Sequence, residues 1–273
     1  MKTEYQKLEP TESGKNLFES FFNTFESKLY DESICNNTLV CETLYQLDMG
    51  KSSYKEDLLG AEKSGDMALL LKLLSYDANQ SAQEPEYYSD IDRVKYQRNK
   101  PIHWLWTYFD KLPMSRNTLF AFRFRRIMGK FMFKHLGDNV KIFHNVEFSY
   151  GYNLSIDDNV VIHREVMLDD RAGIVIKKNA SVSDFVNIYS HNHDTNDIMD
   201  ISLAATVIGE GARVTYHSTV LAGLSLGDHA VLGAMSLATK SLKPLEVKGG
   251  IPAKKITMVQ KDHHGHDCFK VQD

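Results

Sequence analysis

The chain has 273 residues, 42% of them hydrophobic and 25% charged, and a net charge of -4. These are ordinary values for a globular protein of one or two domains. The small negative charge excludes the strong basic excess of a nucleic-acid-binding protein, and no run of eighteen apolar residues offers a membrane span.

No apolar run follows Met1, so no signal peptide is expected. Cys35, Cys41 and Cys268 form no recognisable metal or disulfide framework. An odd cysteine count suits a reducing compartment, and a cytoplasmic location is expected.

The first third reads as helical. Leu17, Phe18, Phe21, Phe22, Phe25 and Leu29 fall on one helical face. Further helices are expected from Leu39 through Leu47 and from Met67 to Leu74, after Gly65-Asp66. The polar stretch from Asp77 to Asp90, with Pro85, reads as a linker. Residues 1–90 are thus expected to form a helical domain of unknown role, and 91–137 a linker followed by a capping helix. In the latter, Phe120, Phe122, Phe124, Phe131 and Phe133 are interleaved with Arg123, Arg125, Arg126, Lys130 and Lys134. Such a helix can lie on an anionic membrane surface or cover the open end of the structure that follows.

From residue 156 the period changes to six. Ile156, Ile162, Leu168, then Ile176, Val182, Ile188, then Ile208, Val214, Val220, Leu226, Leu232 and Ala238 recur at that interval within each run. Six fits neither a helix nor an alternating strand; it describes a coil whose flat faces each take one hexapeptide. Four residues after each aliphatic position the side chain is mostly small, as at Ala180, Ala212, Ser218, Ala230 and Ser236. Gly209, Gly227 and Gly233 each follow an aliphatic position directly, where the backbone must turn with no Cβ in the way. The expected class is mainly β, a parallel β-helix over 138–258 with an N-terminal α-helical region.

The phase breaks twice. Two extra residues stand between Leu168 and Ile176, in L-D-D-R-A-G-I-V-I. Two more, beyond three hexapeptides, stand between Ile188 and Ile208, around S-H-N-H-D-T-N-D-I-M-D. Insertions in a solenoid leave it as loops, and such loops gather on the binding face.

The hexapeptide pattern resembles the acyltransferases of the hexapeptide-repeat family, most closely the sugar O-acetyltransferase branch that includes maltose, galactoside and exopolysaccharide enzymes. The resemblance covers roughly residues 112–258. It implies a left-handed coil, a homotrimer with the site between adjacent coils, and acetyl-CoA as acyl donor. The L-P-M-S-R lead-in at 112–116 is similar to what precedes the coil in polysaccharide acetyltransferases, which favours a cap over peripheral membrane contact.

By the same resemblance the string I-Y-S-H-N-H-D places His193 at the family's catalytic histidine. A neutral imidazole is suited to take the proton of an attacking hydroxyl. His191 is the alternative base or an acceptor contact, expected on the opposite face. Asp170, in the first phase break, is carried across as an acceptor-binding or histidine-orienting residue. A backbone N–H or Ser190 is expected to steady the oxyanion.

The strings V-L-G-A-M-S-L-A-T-K and V-K-G-G-I-P-A-K-K-I resemble the family's coenzyme A-binding end. Ala234 is expected on the pantetheine arm, Thr239 and Lys240 along it, and Lys254 at the nucleotide phosphates. Where the family has V-W-I-G-S or V-W-I-G-A, this chain has A-R-V-T-Y-H, so Arg213 and Tyr216 are expected to narrow or reshape the donor channel.

The resemblance therefore implies an acetyl-CoA-dependent O-acetyltransferase acting on a sugar or glycoside hydroxyl. A non-catalytic trimeric scaffold and an N-acetyltransferase for an amino sugar or small amine are the alternatives. Residues 259–273 are expected to be a flexible tail. Its K-D-H-H-G-H-D-C string is not expected to hold a metal, and no histidine pair in the coil has the spacing of a zinc carbonic anhydrase.

Overall fold

The computed structural model describes residues 8–260 and divides into two compact units, one of residues 9–128 and one of residues 129–260.

The first unit is helical. It contains α1 (Glu12–Leu29), α2 (Asn36–Met49), α3 (Tyr54–Ser64), α4 (Met67–Leu74), α5 (Arg93–Phe109) and most of α6 (Thr118–Met132). Aromatic rings make its core. Phe22, Phe25, Phe109, Phe120 and Phe124 are at most 3% exposed, and their rings meet at centroid distances from 4.8 to 6.5 Å. Leu17 lies off this face and is exposed.

The stretch from Asp77 to Asp90 does not join two domains but is built into this unit. Ala78 and Pro85 are buried, and Lys100 from α5 binds both the Ser81 carbonyl (2.8 Å) and Glu86 (2.9 Å). The aromatic face of α6 is likewise used internally. Phe120 and Phe124 are in the core, and buried Arg125 pairs with Asp110, so the face that a membrane would need is already covered.

The second unit is the parallel β-helix. One face stacks His135–Leu136, Leu154–Ile156, Ile174–Ile176, Thr206–Ile208 and Ser225–Leu226; the next stacks Lys141–Ile142, Val161–Ile162, Ser181–Val182, Arg213–Val214, Val231–Leu232 and Glu246–Gly249. The third stacks Val146–Phe148, Val166–Leu168, Asn187–Ile188, Thr219–Val220 and Leu237–Ala238. All of these pairings are parallel and in register, with Ile156 on Ile176 on Ile208 on Leu226. Each six-residue aliphatic position from Ile142 to Ala238 is at most 5% exposed. The small residues four places later are buried as well, with Ala180, Ala212, Ser218 and Ala230 at 0%.

The coil begins one rung earlier than the aliphatic series suggests. Leu136, Ile142 and Phe148 occupy the same interior positions. Phe133 closes this first rung, its ring edge-on to Phe148 at 5.1 Å. A Cβ on Gly129 would come within 2.8 Å of Leu136, so the start of this unit folds closely onto its first strand.

Two of the three corners are tight. One is turned by Asn139, Asn159, Asn179, Gly211, His229 and Leu245, the other by Asn145, Glu165, Phe185, His217 and Met235, all with positive φ. The glycines after aliphatic positions serve a different need. A Cβ on Gly227 would lie 2.3 Å from the Pro244 nitrogen, and one on Gly209 2.6 Å from the Leu226 carbonyl oxygen, so the next rung's backbone takes that space. The third corner, between the third face and the first, is where every insertion leaves the coil.

Candidate functional site

The two phase breaks lie at that third corner, one rung apart. Ile176 and Ile208 are register partners separated by 32 positions, whereas Ile208 and Leu226 are separated by 18. Fourteen residues therefore leave the coil, not two beyond three further hexapeptides. They form a hairpin in which His191–His193 pairs antiparallel with Ile201–Leu203. The hairpin carries both histidines out from the corner, above the loop that holds Asp169 and Asp170.

Asp169 is the hub of the site. It is 2% exposed, and its Oδ1 accepts from Ser149 Oγ at 3.0 Å. Its Oδ2 accepts from the Ser190 N–H at 3.1 Å and lies 2.5 Å from His191 Nδ1. On the far side of that ring, His191 Nε2 is 3.3 Å from His193 Nε2. His193 in turn is held by its Nδ1, 2.7 Å from the Ile198 carbonyl oxygen. A carbonyl only accepts, so Nδ1 carries the hydrogen and Nε2 keeps a lone pair.

Three expectations are corrected here. His191 and His193 do not face opposite ways, because residues two apart on a strand return to the same face. Asp170 does not reach a histidine. It is fully buried, and its carboxylate accepts the N–H groups of Tyr150 (2.7 Å) and Asn153 (3.2 Å). Burial pushes its carboxyl up to about 6, against the opposing pull of the Tyr150, Gly151 and Asn153 amides. Ser190 is not free to donate to an oxyanion, since its hydroxyl donates to the Asp169 carbonyl (2.6 Å) and accepts from the Ala172 N–H (2.8 Å).

The residues expected along the donor lie at the last rungs. Tyr216 and Ala234 are exposed on the second tight corner of successive rungs, with the Met235 N–H donating to the Tyr216 carbonyl at 2.9 Å. Tyr216 stands edge-on to Phe185 at 5.7 Å, and Arg213 is exposed on the adjoining face. Thr239 and Lys240 follow Leu237–Ala238 on the third corner, the side that carries the histidines two rungs below. Lys254 opens the strand Lys254–Met258, which pairs antiparallel with Glu246–Gly249.

The two donor strings are bound to each other. Leu237 donates to the Gly250 carbonyl (3.1 Å) and accepts from the Ala253 N–H (2.8 Å), while Ser236 Oγ accepts from the Gly250 N–H (2.9 Å). Gly250, with φ +94, makes the turn, and Lys240, Lys254 and Lys255 are exposed around it. Exposed ammonium groups at one rim of the coil suit the phosphates of a nucleotide-bearing donor. Among the described residues no cluster of three or more His, Cys, Asp or Glu side chains is arranged to hold a metal ion. The histidine-rich string from Lys261 to Cys268 lies outside them.

Comparison with known proteins agrees with this architecture. The galactoside O-acetyltransferase of Escherichia coli K12 is 27% identical over 150 residues, which is 54% of this chain and 73% of that protein. A dTDP-4-amino-4,6-dideoxy-D-glucose acyltransferase of Escherichia coli is 29% identical over 157 residues, covering 46% and 82%. The chain is thus similar in sequence to sugar acyltransferases. Among solved structures, a maltose O-acetyltransferase from Clostridium difficile 630 shares the fold with a TM-score of 0.54 at 21% identity, covering 64% of this chain and 92% of that one. A hexapeptide-repeat acetyltransferase from Vibrio cholerae, crystallised with acetyl coenzyme A, shares it with a TM-score of 0.54 at 17% identity, covering 62% and 88%. No family model matches the chain. The Asp169 role is what sequence reasoning missed; the D-D pair signalled a carboxylate without saying which of the two faces the hairpin.

Proposed function

We propose that this acyltransferase moves an acetyl group from acetyl-CoA to a hydroxyl of a sugar or glycoside, with His193 as general base. One observation carries the reading. The Ile198 carbonyl fixes the hydrogen on His193 Nδ1, which leaves a basic Nε2 on an exposed imidazole at the mouth of the insertion corner. The acceptor hydroxyl attacks the thioester carbonyl while Nε2 takes its proton. Acetyl-CoA binds along the last rungs, with its pantetheine arm past Ala234, Thr239 and Lys240 and its phosphates near Lys254. The galactoside O-acetyltransferase among the relatives supports a saccharide acceptor, and the fold-sharing Vibrio cholerae enzyme crystallised with acetyl coenzyme A supports this donor.

The sites Tyr216 and Ala234 lie on a different corner from the histidines. A homotrimer, in which one coil's second tight corner faces the next coil's insertion corner, unites them in one cleft.

The test is steady-state thiol release with acetyl-CoA and a panel of free sugars, nucleotide sugars and amines. His193→Ala is expected to lower kcat by about 10²- to 10⁴-fold with the melting temperature kept. Near-full turnover in that variant sinks the assignment of the base. Transfer to an amine is a second reading, favoured by the dideoxy-amino-sugar acyltransferase among the relatives. The same panel separates the two. A chain that binds no acetyl-CoA at millimolar concentration is instead a scaffold.

A further inference from the structure

If His193 alone handled the proton, the Asp169–His191 pair beside it would have no task. Yet a buried carboxylate with partners on both oxygens holds His191 by one of them. Ser149 Oγ occupies Oδ1, while the Ser190 N–H and His191 Nδ1 share Oδ2. A backbone N–H can only donate, so Asp169 acts as an acceptor and His191 carries its hydrogen on Nδ1. His193 also carries its hydrogen on Nδ1, toward the Ile198 carbonyl. Both Nε2 atoms are therefore left with lone pairs, and they face each other at 3.3 Å. Two lone pairs at that separation repel, whereas one proton between them makes an N–H···N hydrogen bond. The geometry is complete only with one proton more than the neutral rings hold.

We infer that His191 is a positioning residue whose Nε2 shares with His193 Nε2 the proton taken from the acceptor, while the Asp169 carboxylate balances the charge. This rests on His193 being the base. In the forward step the acceptor O–H bond breaks and its oxygen bonds the thioester carbonyl carbon. The proton passes to His193 Nε2 as the acceptor oxygen enters beside His191, and the N–H so formed is shared between that oxygen and His191 Nε2. When the C–S bond breaks, its electron pair leaves on sulfur and the shared proton follows to that sulfur. No oxidant or reductant is involved, and the pair returns to neutrality.

The other charged groups nearby do not replace Asp169. Asp170 is turned to the Tyr150 and Asn153 amides. Asp194 and Asp197 bond amides of the hairpin tip, and the Asp200 carbonyl accepts from the Asp194 N–H. Tyr189 presents its ring edge-on to His191 at 6.5 Å, and Arg171 is the cation on the same corner.

The experiment compares His191→Asn with His191→Gln in the full chain. Asn keeps an amide N–H where Nδ1 donates to Asp169 but leaves nothing at Nε2; Gln sets an amide oxygen near the Nε2 position. His191→Asn is expected to lose about 10- to 100-fold in kcat with KM for acetyl-CoA unchanged, and to move the acid limb of the kcat–pH profile to lower pH. His191→Gln is expected to recover part of that loss. Long-range ¹H–¹⁵N spectra of the imidazoles, taken without substrate, are expected to place hydrogen on Nδ1 of both rings.

A His191→Asn enzyme within twofold of native kcat, with an unmoved acid limb, overturns the inference. If His193→Ala is inactive in the same assay, the general-base reading survives that result. If His193→Ala turns over normally, both are overturned.

Discussion

Asp169 and Asp170 are consecutive in the chain and send their carboxylates to different partners. Asp169 faces the hairpin and holds His191, while Asp170 faces backward into the loop of the preceding rung and holds the amides of Tyr150 and Asn153. The first is tied to the hairpin histidine and the second to the shape of the corner.

Asp170→Ala is accordingly expected to cost stability, about 1–3 kcal/mol near pH 4, because it strands buried N–H groups. The sign of its pH dependence follows from burial. The folded carboxyl sits at about 6, above its unfolded value, so its contribution is full below pH 4 and is lost as pH rises through 6. Urea unfolding of both proteins between pH 4 and 7 checks this. The gap between them narrows with rising pH; a gap that widens contradicts the assigned direction.

The hairpin tip holds His193 through a backbone atom, the Ile198 carbonyl oxygen. Replacing residues 194–200 with an Asn-Gly turn keeps the paired strands and removes that anchor. The expected outcome is a kcat lower by on the order of 10²-fold, the scale of a misplaced catalytic group. The melting temperature should hold, since the fourteen-residue excursion lies outside the stacked rungs. Calorimetry and thiol release on one preparation read both quantities.

Two glycines are expected to respond oppositely to alanine. Gly227 faces the Pro244 nitrogen and the Lys243 carbonyl carbon, at 2.3 and 2.7 Å from where a Cβ would sit. Gly227→Ala should destabilise by about 1–3 kcal/mol, as overpacking against backbone does. Gly60, within α3, has open space around it, so Gly60→Ala should stabilise by about 0.5–1 kcal/mol. Denaturant midpoints decide both.

Lys254 is exposed at the turn that joins the two donor strings. Lys254→Ala is expected to raise KM for acetyl-CoA about 2- to 5-fold with kcat unchanged, the range of a single exposed ion pair. Added salt should shrink the difference. A kcat effect without a KM effect would move this lysine away from the donor.

Much of this was legible beforehand because a solenoid writes its period into the chain. The six-residue phase located the interior column from Ile156 to Ala238, and its breaks located the corner that carries the histidines. The aliphatic series starts only at Ile156, although the coil was expected from 138, because Phe148 is aromatic and because a two-residue insertion before Leu154 shifts the phase. Helix α5 was hidden by Pro101 in its interior, and the stretch after Asp77 by its turn-forming composition, although both pack into the helical unit. The hand of the coil was expected only from the family resemblance, since period alone carries no hand.

Spacing alone determined that the chain winds into stacked rungs, since every sixth side chain must be apolar to line a common interior. It also determined where extra residues must leave, because a coil in register has no room for them. Only the tertiary structure decided that fourteen residues form a hairpin, that Asp169 and not Asp170 meets His191, and that the two histidines turn their Nε2 atoms toward each other. Those outcomes depend on which backbone amides claim each carboxylate at a corner, a competition between residues some twenty positions apart that no local pattern records.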